Sequence, residues 1–163
     1  DVLIEAVQKL GAPYHLVLVG AGTGMPPEDR VIALPYEKDP KAVARIIASC
    51  DAFVHANDKE PFGLIVLEAM ACGRPVVGVN AGGVAETVTA EVGQLAASAD
   101  PAQYAEAVEA LFQRDIEAVG QAARIHTVEQ FAWSRVFEDL CMVYGDLTGE
   151  AAFVQPDGEW AVH

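Results

Sequence analysis

Positive charge is scarce in this sequence: 10 Lys and Arg stand against 24 Asp and Glu, a formal net charge of −14. That excess repels nucleic acid and anionic lipid surfaces, so a polyanion-binding role is disfavoured. A nucleoside diphosphate is not excluded, because backbone N–H groups at a helix N-terminus attract phosphate locally whatever the net charge. Cysteine is scarce as well. Cys50, Cys72 and Cys141 are widely spaced in apolar helical contexts, which argues against a disulfide framework or a zinc site and for reduced core residues. No apolar run approaches the roughly 18 residues of a membrane helix, and no basic-then-apolar leader opens the sequence, although a segment upstream of Asp1 could carry one. The expectation is a soluble, cytoplasmic protein. GK[ST], GxSxG, HExxH and CxxC are missing, as is any DxD-like aspartate cluster, so no metal is implied.

What is present is a globular composition, 52% hydrophobic and 21% charged, in a length of 163 residues suited to one domain. The chain starts at Asp1, not Met, within a pattern (Val2, Leu3, Ile4, Ala6, Val7, Leu10) that already reads as an amphipathic helix, so it looks cut from something longer. Residues 1–147 form the expected domain and 148–163 a tail.

Four short apolar runs with β-branched members, at 14–19, 30–34, 52–54 and 76–79, read as strands. Between and after them lie helical patterns. Asp39-Pro40 and Asp100-Pro101 signal helix starts, the first running through Ser49 and the second through Phe112. Further helices are expected at 63–72, from Gly82-Gly83 to Val88, at 117–131 and at 133–147. Strands alternating with helices imply right-handed crossovers and a parallel sheet covered on both faces, with ligands at the C-terminal strand ends. Those ends are the loops at 20–24, 35–36, 55–62 and 80–83. The glycine run Gly20-x-Gly22-x-Gly24 is not GxGxxG, and Met25-Pro26-Pro27 cannot continue into a phosphate-binding helix, so it reads as a flexible turn.

The informative stretch is Glu60-Pro61-Phe62-Gly63-Leu64-Ile65-Val66-Leu67-Glu68-Ala69-Met70-Ala71-Cys72-Gly73-Arg74-Pro75-Val76-Val77. Glu68 is an acidic residue on a helix otherwise apolar all round, and a buried carboxylate is costly unless donors satisfy it. The two neighbouring hydroxyls of a ribose would do so. Leu64, four residues earlier, shares its helical face with Glu68 and lies at the helix N-terminus, where free N–H groups point at an anion. A ligand along that face would put phosphates at Gly63-Leu64, ribose at Glu68 and a sugar at Glu60, over a span of roughly 12 Å at about 1.5 Å per residue.

The same stretch resembles the E-x7-E signature of glycosyltransferase group 1 (family 4-like), the retaining GT-B enzymes. Gly82-Gly83-Val84-Ala85-Glu86 is similar to that family's GG-loop, and Phe131-Ala132-Trp133 to its late aromatic pair. The resemblance covers about residues 1–147. It implies a three-layer Rossmann-like α/β domain with a parallel sheet, the C-terminal, nucleotide-sugar-binding half of a GT-B fold, with no cofactor beyond the nucleotide-sugar donor. Glu60, which as a Glu before Pro in an Asp-Lys-Glu loop would otherwise read as solvated, is implied to bind hydroxyls of the transferred sugar and is the expected catalytic residue. Phe62, Gly63, Leu64, Glu68, Gly20, Gly22 and Tyr36 are the expected donor-binding set. Within it, Phe62 reads as a core anchor of its loop more than as a sugar platform, and Pro35 and Tyr36 lie where the resemblance places the nucleotide base, through backbone contacts more than side-chain ones. His55 ends the third strand facing the crevice and is a further candidate.

The chain departs from the family pattern in places. The glycine-arginine stretch and lysine that complete enzymes place before the segment resembled by residues 1–10 are not present, and Arg30 and Lys38 do not match them. The N-terminal acceptor domain of such enzymes is expected to lie outside these 163 residues. Such a chain is expected to bind donor without transferring sugar, and to leave Val2, Leu3, Val7, Phe137, Leu140 and Tyr144 exposed for self-association, with packing of residues 1–10 on the sheet as the alternative for the first helix. Two other readings stay open: a non-catalytic interaction module of the same fold, and a GT-B phosphorylase or sugar-nucleotide epimerase, which would lack this E-x7-E helix.

Overall fold

The computed structural model describes residues 2–21 and 28–149. Gly22 and residues 150–163 of the expected tail lie outside the described residues. In chain order the elements are α1 (Val2–Leu10), β1 (Leu16–Val19), β2 (Val31–Leu34), α2 (Pro40–Ala48), β3 (Phe53–His55), α3 (Leu64–Ala71), β4 (Val76–Val79), α4 (Gly82–Thr87), β5 (Gly93–Ala96), α5 (Pro101–Phe112), α6 (Ile116–Phe131) and α7 (Trp133–Thr148).

The helix starts have local causes. Asp39 accepts the Lys41 N–H at 3.0 Å and Pro40 opens α2, while Asp100 accepts the N–H groups of Ala102 and Gln103 ahead of α5. Every strand pairing is parallel. β1 pairs with β2, and β4 lies between β3 and β5. The strand at Gly93–Ala96 is absent from the sequence expectation because Gly-Gln-Leu-Ala carries no apolar alternation; its pairing with β4 holds it.

All four residues of β4 are buried, as expected for a central parallel strand. Alternation along it divides the core. Val77 and Val79 pack with Ala6 of α1 and Tyr104, Val108 and Leu111 of α5, whereas Val76 packs with Ile47 of α2, Val66 and Met70 of α3, Val84 of α4 and Ala123 of α6. Each fully buried aliphatic side chain stabilises by about 1.5–3 kcal/mol. The result is three layers, with helices on both faces of the β3–β4–β5 sheet; the single parallel sheet expected from the sequence is corrected to two, because among the described residues β1 and β2 pair only with each other.

For the first terminal helix the structure corrects the expected exposure and follows the alternative, packing within the core. Val7 is buried, and Val2 and Leu3 pack against the cluster that α5 forms with β4, because the apolar stripe of α1 faces α5. α7 buries none of its residues among those described, and Phe137, Leu140 and Tyr144 are exposed. Among the described residues no helix is long and apolar enough to cross a membrane.

Candidate functional site

Parallel strands place their carboxyl ends together, and the loops that leave β3 and β4 meet there. Asn57 shapes the first loop: its Oδ1 accepts the Lys59 N–H at 3.0 Å and its Nδ2 donates to Glu60 Oε2 at 3.2 Å. The other carboxylate oxygen, Oε1, accepts the Gly63 N–H at 3.2 Å. Glu60 is therefore not an ordinary solvated loop glutamate; its side chain is 25% exposed and fastens the entry to α3. His55 Nε2 stands 3.5 Å from Glu60 Oε2, within ion-pair range but without hydrogen-bond geometry, so this buried ring nitrogen has no hydrogen-bond partner.

The second loop closes on the first. Gly83 N–H donates to the Glu60 carbonyl at 2.9 Å. A Cβ on Gly82 would lie 2.5 Å from the Glu60 carbonyl oxygen, and one on Gly83 would lie 2.4 Å from that of Pro61. Only paired glycines let the two backbones approach this closely.

Gly63 precedes α3 with φ +84°, and its carbonyl accepts the N–H groups of Val66 and Leu67. Its own N–H is engaged by Glu60, which corrects the expectation that this amide faces a phosphate. The N–H groups of Leu64 and Ile65 have no acceptor among the described residues. They are the open donors at this helix end.

The expectation that α3 is covered all round, with Glu68 a buried carboxylate needing donors, is corrected. Val66, Leu67, Ala69 and Met70 are buried, but Leu64 is 62% exposed and Glu68 is exposed. α3 packs against α2, α6, β3 and β4 on its other sides. A face one turn long is left open, and Glu68 stands exposed on it. Phe62 is no core anchor: it is 46% exposed, its ring edge-on to Phe131 at 6.3 Å.

Tyr36 and Gly20 form a separate pair at the ends of β2 and β1. Gly20 has φ +83°, and a Cβ there would lie 3.5 Å from Tyr36 Cδ2, so the exposed ring stands over it. The structure thus assembles His55, Glu60, Gly63, Leu64 and Glu68 around one helix end, and keeps Tyr36 with Gly20. Two contributors escaped sequence reasoning. Asn57 carried only a turn signal, and Tyr104, which carried no signal of its own, brings its hydroxyl to the end of β3.

All six arginines of the chain are engaged elsewhere. Arg74, Arg114 and Arg124 donate to backbone carbonyls of Cys50, of Gly93 and Ala90, and of Ala71. Arg30, Arg45 and Arg135 pair with Asp29, Asp39 and Asp139. Among the described residues, no three His, Cys, Asp or Glu side chains gather as metal ligands would.

Residues 1–114 match the family model described as Glycosyl transferases group 1. The chain is 35% identical over 144 residues to a D-inositol 3-phosphate glycosyltransferase of Geodermatophilus obscurus, covering 88% of this chain and 31% of that protein. It is 32% identical over 123 residues to the N-acetyl-alpha-D-glucosaminyl L-malate synthase of Bacillus anthracis, covering 74% and 32% respectively. The crystal structure of HepE from Anabaena in complex with UDP-glucose superposes with a TM-score of 0.73 at 23% identity, over 89% of this chain and 44% of that one. At that identity the likeness shows the fold. The chain spans about a third of the length of the curated relatives it matches.

Proposed function

This chain belongs to the glycosyl transferases group 1 family, and from that premise we propose that it is the domain that binds a nucleotide-diphosphate sugar for transfer with retention of configuration. The observation that carries the reading is the open face of α3. Two amides without acceptors, on Leu64 and Ile65, stand at its start, and the exposed carboxylate of Glu68 follows within one turn.

Each group then has a task. The amides donate to the diphosphate oxygens and stabilise the group as it leaves, charge developing where fixed dipoles already point. Glu68 accepts hydrogen bonds from the two ribose hydroxyls. Glu60 holds the sugar: a carboxylate has about four lone-pair sites, and Asn57 and Gly63 occupy two of those on Glu60. Tyr36, above Gly20, borders the base. No side chain is assigned as a nucleophile, and the reading includes no metal. The acceptor lobe is assigned to the part of the relatives' length that this chain does not match, and the setting is the cytoplasm.

Calorimetric titration of the chain with UDP, GDP, ADP and UDP-glucose tests this, UDP-glucose entering because HepE was crystallised with it. Binding of one nucleotide with further affinity for its sugar conjugate supports the reading. Binding of none favours an interaction module instead.

A further inference from the structure

Tyr104 lies on α5, a helix that forms no part of the loops just described, and its side chain is fully buried. A phenylalanine would bury as much apolar surface without carrying a hydroxyl into the core, which is costly unless bonded. The hydroxyl is bonded twice. It accepts the His55 N–H at 2.8 Å and donates to the Val77 carbonyl oxygen.

Those two backbone groups belong to one rung of the sheet. The register pairs Phe53 with Val76 and His55 with Gly78, and the Phe53 N–H donates to the Pro75 carbonyl at 2.9 Å. Two residues further on, the next rung of a parallel ladder sets the His55 N–H opposite the Val77 carbonyl. Tyr104 inserts its hydroxyl at that rung, the last of β3, where the chain turns into the loop carrying Asn57 and Glu60. Burial raises the Tyr104 hydroxyl well above the ordinary tyrosine pKa, so it remains a donor to Val77 and its acceptor site stays fixed on His55.

We infer that Tyr104 is a positioning residue of the donor site: by holding the last rung of β3 it sets where His55 leaves the sheet, and through His55 it fixes the Glu60 carboxylate against the α3 N-terminus. The ring nitrogen of His55 is the link. It is buried, lacks a hydrogen bond and stands 3.5 Å from Glu60 Oε2. A displacement of His55 therefore reaches Glu60, whose Oε1 holds the Gly63 N–H. The inference rests on the donor-binding reading for its functional meaning, though not for its test.

The test is amide hydrogen exchange on the 163-residue chain and on Tyr104→Phe. Protection at the position-55 amide should fall by up to about tenfold when the hydroxyl that spans its rung is removed and only the Val77 carbonyl still faces it, and Gly63, bonded only through Glu60, should lose protection with it. The Gly93 amide, bonded to Thr89, should not change. Loss at position 55 alone, or an equal loss at all three amides, overturns the inference, because a purely structural tyrosine gives one of those patterns. Should Tyr104→Phe fail to fold, His55→Phe decides: Gly63 should lose protection while the position-55 amide keeps it, and an unchanged Gly63 rejects the relay. Exchange needs no nucleotide, so absent UDP-glucose binding by the unaltered chain counts against the donor reading alone.

Discussion

The backbone N–H of Gly83 donates to the carbonyl oxygen of Glu60 at 2.9 Å, tying the loop after β4 to the loop after β3. Two motifs more than 20 residues apart in the chain are one unit of structure. Gly83→Ala should break it, since the new Cβ would lie 2.4 Å from the Pro61 carbonyl oxygen and 2.6 Å from Phe62 Cα, both backbone atoms. The expected loss is about 2–4 kcal/mol of stability by denaturant titration. Gly11→Ala is the control: φ is +67° but nothing lies within 4 Å, so only the backbone cost of about 1 kcal/mol applies.

The two glutamates of the signature should respond differently. Glu68 is exposed, so Glu68→Gln should leave stability within about 0.5 kcal/mol and weaken nucleotide binding by about 1.5–3 kcal/mol, the worth of hydrogen bonds to a charged acceptor. Glu60→Ala should cost about 1–2 kcal/mol of stability by freeing the Gly63 amide, whereas Glu60→Gln keeps an acceptor there and should selectively weaken the nucleotide sugar. Unchanged nucleotide affinity in Glu68→Gln removes its ribose role.

Alkaline pH should act through Tyr104. Burial disfavours the tyrosinate, so the folded-state pKa lies above the unfolded value of 10.0 and the unfolded chain gives up the proton first. Stability is intact below that value. Above it, the group withdraws about 1.4 kcal/mol per pH unit. Thermal melts of Tyr104→Phe between pH 9 and roughly 11.5 should lack this component of the decline.

The outer side of α7 should bind a hydrophobic dye. Leu140, Val143, Tyr144 and Leu147 are all exposed there, and contiguous apolar surface of more than a few hundred Å² recruits such probes. Leu140→Lys with Leu147→Lys should lower the fluorescence of added anilinonaphthalene sulfonate without lowering the melting temperature, because neither side chain contributes to the core. Equal fluorescence with the double variant would place the apolar surface elsewhere.

Features with local causes were legible in the sequence. Asp39 and Asp100 cap their helices with their own side chains, within three residues, and each is followed by Pro. The Val76–Val79 run is buried on both faces as its uniform apolarity predicts. The face shared by Leu64 and Glu68 follows from helical spacing, but its exposure does not, since that depends on which sides of α3 meet α2, α6 and the sheet. The engagement of Glu60 with Gly63 needed the positive φ of that glycine, and the position of β5 needed β4 as a neighbour. Tyr104 was the least legible, because its hydroxyl finds partners 27 and 49 residues away in the chain.

With every arginine engaged elsewhere and a net charge of −14, salt should affect nucleotide capture with an inverted sign. A pocket lined by cations draws an anion in from a distance, and added electrolyte slows that approach. On the donor-binding reading, the long-range field here pushes a diphosphate away, and attraction begins only within reach of the Leu64 and Ile65 amides. Raising ionic strength from about 10 mM to about 150 mM shortens the screening length from about 30 Å to about 8 Å. The repulsion is dampened and the short-range bonds survive, so UDP should associate faster in salt while its departure rate hardly moves.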